Sequence, residues 1–74
     1  MSVILRVTET RLNTPYLTEE YEGTTTFACV EGYIRQGLDW RFDENVIRNL
    51  LNVHDDVHIG SPTWDVHFEF TMKE

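Results

Sequence analysis

Residues 63–72 read Thr-Trp-Asp-Val-His-Phe-Glu-Phe-Thr-Met, the most regular hydrophobic alternation in the chain. Side chains two positions apart on a β-strand share a face, so the alternation predicts a strand with one apolar and one polar face. The apolar face consists of Trp64, Val66, Phe68, Phe70 and Met72. The polar face consists of Asp65, His67, Glu69, Thr71 and Lys73. The predicted strand therefore has one side for a core and one side for solvent.

A single amphipathic helix is predicted upstream, over residues 44–53. Asp43 can cap its N-terminus, and Phe42 can pack on Ile47 beside that cap. Glu44 and Arg48 stand four residues apart in the favourable order. The apolar stripe consists of Val46, Ile47, Leu50, Leu51 and Val53. Because such a stripe must be buried, we expect this helix to lie on the apolar face of the strand at 63–72.

A second strand is predicted over residues 3–12, where Val3, Leu5 and Val7 share one face. It should end before Pro15, because proline has no backbone N–H to donate to a neighbouring strand. The polar residues that follow, up to Gly23, are either a loop or the start of the next strand.

The segment 24–35 is consistent with two structures. Phe27, Val30 and Ile34 have helical spacing, and Gly37 would be a suitable C-cap. Three consecutive threonines and the internal Gly32 disfavour a helix more than one exposed ion pair, at about 0.2–0.5 kcal/mol, favours it. We therefore predict a strand here.

Together these elements predict an α+β fold of one domain over residues 1–74. The expected architecture is a three- to four-stranded antiparallel or mixed sheet with one helix packed on one face, in the order ββαβ.

Composition excludes several classes of function. With 74 residues, the chain is too short for a large multi-step enzyme with a deep cleft. Its formal net charge of −7, with only 6 basic residues spread along the sequence, argues against direct binding of nucleic acid. The N-terminal apolar run ends at Arg6, so we expect no membrane segment and a cytoplasmic location. A small core without disulfides favours a homodimer.

Two groups of residues are candidates for chemistry. His54, Asp56 and His58 would share one side of an extended segment, and two histidines with one carboxylate are a known ligand set for iron or zinc, with His67 as an outside candidate. A turn formed by Asp55 and Asp56 after the helix, with His54 near the helix C-terminus, is the preferred explanation. Metal binding is therefore only an alternative here, and no cofactor or catalytic residue is predicted. Cys29, the single cysteine, has apolar and acidic neighbours that raise its pKa, so we expect a buried, unreactive thiol in the sheet.

Aromatic residues beside charges are typical of binding surfaces. The predicted partner-binding residues are Glu19, Glu20, Tyr21, Glu22, Asp39 and Trp40. No motif identifies a family. Small size, acidity and the lack of a catalytic signature are typical of small inhibitors and adaptors, including those of mobile genetic elements.

The favoured hypothesis is a non-enzymatic protein that binds and modulates or inhibits a basic site on a partner protein, such as a component of a nucleic-acid-handling complex, by DNA-like electrostatics. DNA mimicry requires the carboxylates to lie on one face. The alternatives are the metal-binding protein or metal-dependent enzyme described above, and a structural subunit that associates only with itself.

Overall fold

The computed structural model describes residues 2–38, 41–61 and 63–73. Four strands and two helices follow one another along this part of the chain in the order ββααββ. They are β1 (Ser2–Arg11), β2 (Thr14–Gly23), α1 (Thr26–Gln36), α2 (Glu44–Val53), β3 (Asp56–Ser61) and β4 (Trp64–Lys73). The α+β class is confirmed.

The four strands form one antiparallel sheet in the spatial order β2-β1-β4-β3. The two central strands, β1 and β4, pair along the whole length of β1, from Ser2 opposite Lys73 to Arg11 opposite Trp64. The other side of β1 pairs with β2. The predicted strands at 3–12 and 63–72 are therefore confirmed, and β2 and β3 form the two edges of the sheet.

A two-residue turn, Leu12-Asn13, joins β1 to β2. Both residues have positive φ, 52° and 64°, as in the type I′ hairpin turn whose twist matches that of the flanking strands. The ladder is irregular farther along, because Glu9 pairs with Leu17 but Thr10 pairs with Pro15, which leaves Tyr16 as an extra residue. The polar connection up to Gly23 is thus largely a strand, and Pro15 is tolerated on it because β2 is an edge strand.

The prediction of a strand over residues 24–35 is wrong, because nearly all of helix α1 lies in this segment. Thr25 is the N-cap, and its hydroxyl accepts a hydrogen bond from the backbone N–H of Ala28 at 3.1 Å. The threonines thus start a helix instead of extending a strand. The buried residues Cys29, Val30 and Tyr33 have helical spacing, whereas Phe27 is 61% exposed.

Helix α2 begins and ends where the sequence predicted. The Asp43 carboxylate accepts hydrogen bonds from the backbone N–H groups of Asn45 and Val46 at 2.8 and 3.3 Å. Ile47 and Leu51 are its buried residues, and Leu50 is partly buried, whereas Val46 and Val53 are exposed. The buried stripe is therefore narrower than the predicted one.

The predicted order ββαβ with one helix is also wrong, because it lacks both α1 and the short strand β3. In β3 only Val57 is buried, and Ile59 is partly buried. Such an edge strand has little hydrophobic alternation to reveal it in the sequence. Gly60 follows with a φ of +137°, and a Cβ there would lie 2.2 Å from the carbonyl oxygen of Trp64.

Both helices pack against the same face of the sheet, and the core lies between these two layers. It consists of Val3, Leu5, Val7, Cys29, Val30, Tyr33, Ile47, Leu51, Val57, Val66 and Phe68. Phe68 is fully buried, and its ring meets the ring of Tyr33 edge to face, with centroids 5.3 Å apart. Of the apolar face predicted for β4, Trp64 and Phe70 are only partly buried and Met72 is 63% exposed.

Neither helix is long and apolar enough to pass through a lipid bilayer, within the ranges that the structure describes.

Candidate functional site

The sheet has two different faces. The inner face is covered by α1 and α2, whereas neither helix packs on the opposite face, which we call the outer face. Strand alternation assigns the even-numbered residues of β1, such as Arg6, to the outer face, together with the odd-numbered residues of β4, such as His67. A two-layer fold therefore presents one broad sheet surface to solvent.

The outer face has an excess of negative charge. Among the residues that the structure describes, its five carboxylates outnumber its two basic side chains, so the formal excess is three negative charges when histidine is neutral. The carboxylates are those of Glu20, Glu22, Asp56, Asp65 and Glu69, and the basic side chains are those of Arg6 and Lys73. Carboxylates that are far apart in the sequence are thus gathered on one surface.

Ion pairs at the β2 side of the outer face are exposed. Arg6 Nη2 lies 2.9 Å from Glu20 Oε2, and Lys73 Nζ lies 3.4 Å from Glu22 Oε2. Their side chains are about half exposed or more, and such pairs contribute about 0–1 kcal/mol each to stability. These ion pairs therefore stabilise the fold little, and their charged groups remain accessible to the charged groups of a partner.

The residues predicted to bind a partner are divided between the two faces. Glu20 and Glu22 lie on the outer face. Glu19 and Tyr21 point inward, where the Tyr21 ring meets the Tyr33 ring edge to face at 5.5 Å. Asp39 and Trp40 lie outside the described residues.

Tyr21 has a structural role beneath α1. Burial, and then a hydrogen bond that its hydroxyl donates to Glu19, raise the pKa of Tyr21. Gly37, at the end of α1, lies so close that a Cβ there would be 1.8 Å from the Tyr21 hydroxyl oxygen. The tight fit holds the C-terminal end of α1 against β2.

A cavity of about 140 Å³ lies between the sheet and the end of α1, with two carboxylates among its lining residues. Glu9 accepts hydrogen bonds from Trp64 Nε1 and from Arg11 Nε, and Glu19 accepts one from Tyr21. Both carboxylates are thus engaged in contacts that hold the structure together. We infer no acid–base chemistry from this pair.

At the β3 side of the outer face, Asp56, His58 and His67 form a second group, which we call the histidine cluster. His58 and His67 lie directly opposite each other in the β3–β4 pairing, so their rings stack with centroids 4.1 Å apart and planes 2° apart. His67 Nε2 lies 2.8 Å from Asp56 Oδ1, and His58 Nε2 lies 3.7 Å from the same oxygen. Asp65 Oδ2 lies 2.9 Å from His58 Nδ1.

The structure brings together only two of the three metal ligands predicted from the sequence. Asp56 and His58 share the outer face as expected for an extended segment, but the second histidine of the cluster is His67. His54 lies at the C-terminal end of α2 and is not a member. His67 is the outside candidate named from the sequence, on the polar face of the predicted strand at 63–72.

No protein-family model, curated protein or solved structure matches the chain.

Proposed function

We propose that this protein is a non-enzymatic binding protein whose outer face docks on a basic surface of a partner protein and modulates or inhibits that partner. The single observation that carries the proposal is the excess of carboxylates on a sheet surface that neither helix covers. Charge complementarity identifies the occupant: a surface with this sign attracts lysine and arginine side chains and repels nucleic acid phosphates.

The electrostatic contribution acts on the encounter more than on the final affinity. Carboxylates spread over one face attract a basic partner from a distance of about 8–10 Å at physiological salt, and this attraction raises the association rate. A basic site that normally holds nucleic acid is the strongest candidate, because an acidic surface can compete with phosphates for it. We place this interaction in the cytoplasm, which suits a protein whose single cysteine is a buried thiol.

The experiment compares variants with equal charge changes on different surfaces. The double variant Glu20→Gln/Glu69→Gln removes two negative charges from the outer face. The matched control, Asn49→Lys/Asn52→Lys, raises the net charge by the same amount on exposed positions of α2. Each protein is used to capture partners from a lysate of the native host, and the captured proteins are quantified by mass spectrometry.

We expect one partner to be captured by the wild type and by the control, and to be lost from the Glu20→Gln/Glu69→Gln variant. With that partner purified, the association rate should fall as salt rises. A partner retained equally by all three proteins, or an association rate independent of salt, contradicts docking through the outer face.

Self-association into a homodimer remains a second proposal, favoured by one observation. Leu12 and Tyr16 are 75% and 61% exposed at the β1–β2 hairpin, next to Leu17 at 46%. The glutamates of β2 oppose pairing of this edge with a second copy, so the apolar hairpin end is the surface for such a contact. Light scattering over a dilution series tests it, and a constant monomer mass contradicts both this contact and a self-associating structural subunit.

A further inference from the structure

We propose that Asp56, His58 and His67 of the histidine cluster bind a first-row divalent cation, with Zn²⁺ as the cation of choice. The inference depends on the arrangement of three ligand atoms and is independent of which partner the outer face binds.

The ligand atoms converge. One ligand atom from each of the three residues lies within 4.8 Å of the other two. A tetrahedral zinc site with bonds of about 2.0–2.1 Å has ligand atoms about 3.3 Å apart. The distances from Asp56 Oδ1 to His67 Nε2 and His58 Nε2, 2.8 and 3.7 Å, lie on either side of that value. Because imidazole lone pairs lie in the ring plane, the stacked rings must tilt toward each other to bind one cation, and the side chains of His58 and Asp56, each 60% exposed, have room to rotate.

The backbone holds the two imidazoles in place. His58 and His67 are paired residues of β3 and β4, and Asp56 lies two residues before His58 on the same face. A site built on strands loses little conformational freedom when a cation binds, because the positions of the Cβ atoms are already fixed.

Asp65 acts as a positioning residue for His58. Its carboxylate lies 2.9 Å from His58 Nδ1, so Nδ1–H can donate to Asp65 while Nε2 keeps its lone pair toward Asp56. A carboxylate on the far nitrogen of a metal-binding histidine fixes the tautomer and makes the other nitrogen a better ligand.

The ligand set determines which cation is preferred. Two imidazole nitrogens with one carboxylate suit Zn²⁺ and its first-row neighbours, whereas Ca²⁺ and Mg²⁺ prefer oxygen ligands. The side chains of His58 and Asp56 are each 60% exposed, so water can occupy the remaining coordination positions.

The test uses the full chain without a histidine tag, titrated with ZnCl₂ by calorimetry and, in parallel, with MgCl₂. His58→Gln and His67→Gln each remove one ligand, and Asp65→Asn removes the positioning carboxylate. His54→Gln is the matched control, because it removes an exposed histidine that is outside the cluster. Circular dichroism checks that each variant is folded. In the wild type, the imidazole NMR signals followed during the titration report the ligands without any substitution.

We expect one Zn²⁺ per chain for the wild type and for His54→Gln, and no binding of Mg²⁺. His58→Gln and His67→Gln should each weaken zinc binding by more than about tenfold, with a smaller loss for Asp65→Asn. In the wild type, zinc should move the imidazole signals of His58 and His67 and leave those of His54 in place. Absence of zinc binding, equal loss in the His54→Gln control, or binding that survives both His58→Gln and His67→Gln overturns the proposal.

Discussion

Arg48 of α2 binds Glu31 of α1 through two parallel contacts, Nε to Oε1 at 2.8 Å and Nη2 to Oε2 at 3.2 Å. The planar guanidinium matches the carboxylate at both points, which an ammonium group cannot do. Arg48 also lies 3.5 Å from Glu44 on its own helix. The bond to Glu31 is therefore a specific link between the two helices.

Replacement of Glu31 by glutamine should lower the stability at neutral pH and should also change its pH dependence. The hydrogen bonds from Arg48 lower the pKa of Glu31. The carboxylate thus contributes stability above the pKa of the unfolded chain, and this contribution is lost as the pH falls through the lower folded-state pKa. Urea midpoints of wild type and Glu31→Gln should differ at pH 7 and converge in acid.

Glu44→Gln is the control for this prediction, because it removes the longer and more exposed contact of Arg48. We expect a smaller change of the urea midpoint. A difference between wild type and Glu31→Gln that stays constant down to strongly acidic pH contradicts the assignment.

The same substitution, glycine to alanine, should have opposite effects at two positions. At Gly32, inside α1, a Cβ would meet only the Tyr21 ring at 3.8 Å, so Gly32→Ala should stabilise the protein by about 0.5–1 kcal/mol. At Gly60 the φ of +137° and the nearby Trp64 carbonyl exclude a side chain. Gly60→Ala should destabilise the protein by about 1–3 kcal/mol. Urea unfolding measures both, and changes of the same sign contradict the local geometry.

Leu12→Asn should stabilise the β1–β2 turn. Leu12 is 75% exposed and has a φ of 52°, which asparagine adopts more readily than leucine. We expect a gain of about 0.5–1 kcal/mol in the free energy of unfolding, measured by urea unfolding. Val53→Asn makes a similar change of polarity at an exposed helical position, where the two residues have nearly equal helix propensity. The control should therefore leave the midpoint unchanged, and equal gains in both variants contradict a turn effect.

Cys29 should react slowly with thiol reagents in the native protein. Its side chain is buried, burial raises the pKa of its thiol, and the thiol donates to the carbonyl oxygen of Val3 at 3.2 Å. Because the thiolate is the reactive form, labelling requires opening of the core. The labelling rate should rise steeply as urea approaches the unfolding midpoint. Fast labelling in native buffer, unchanged by urea, contradicts a closed core.

Elements with a strong local pattern were predictable from the sequence. The alternation in β1 and β4 and the Asp43 cap of α2 are local signals that packing then reinforces. Helix α1 was missed because β-branched threonines have strand propensity, while their capping role depends on which residue starts the helix. The prediction of an unreactive Cys29 does not depend on this error: the pKa of its thiol is raised, although the residue lies in a helix instead of the sheet.

Both candidate sites depend on which strands pair and in which register, and a local sequence pattern reveals neither. Glu20 and Tyr21 lie on opposite faces of the sheet, and this can be predicted only once β2 is known to be a strand. The contact between His58 and His67 follows from the register of the β3–β4 hairpin, and a shift of one residue would move one ring to the inner face. The edge strand β3 has one buried residue, Val57, and too little hydrophobic alternation to be recognised in the sequence.

The pairing of β1 with β4 also determines when the protein can fold during synthesis. Ser2 leaves the ribosome long before Lys73, its partner in the ladder. The hairpin of β1 and β2 can form early, but the centre of the sheet must wait for the last strand, so the nascent chain exposes the apolar side of β1 until translation of this region is finished.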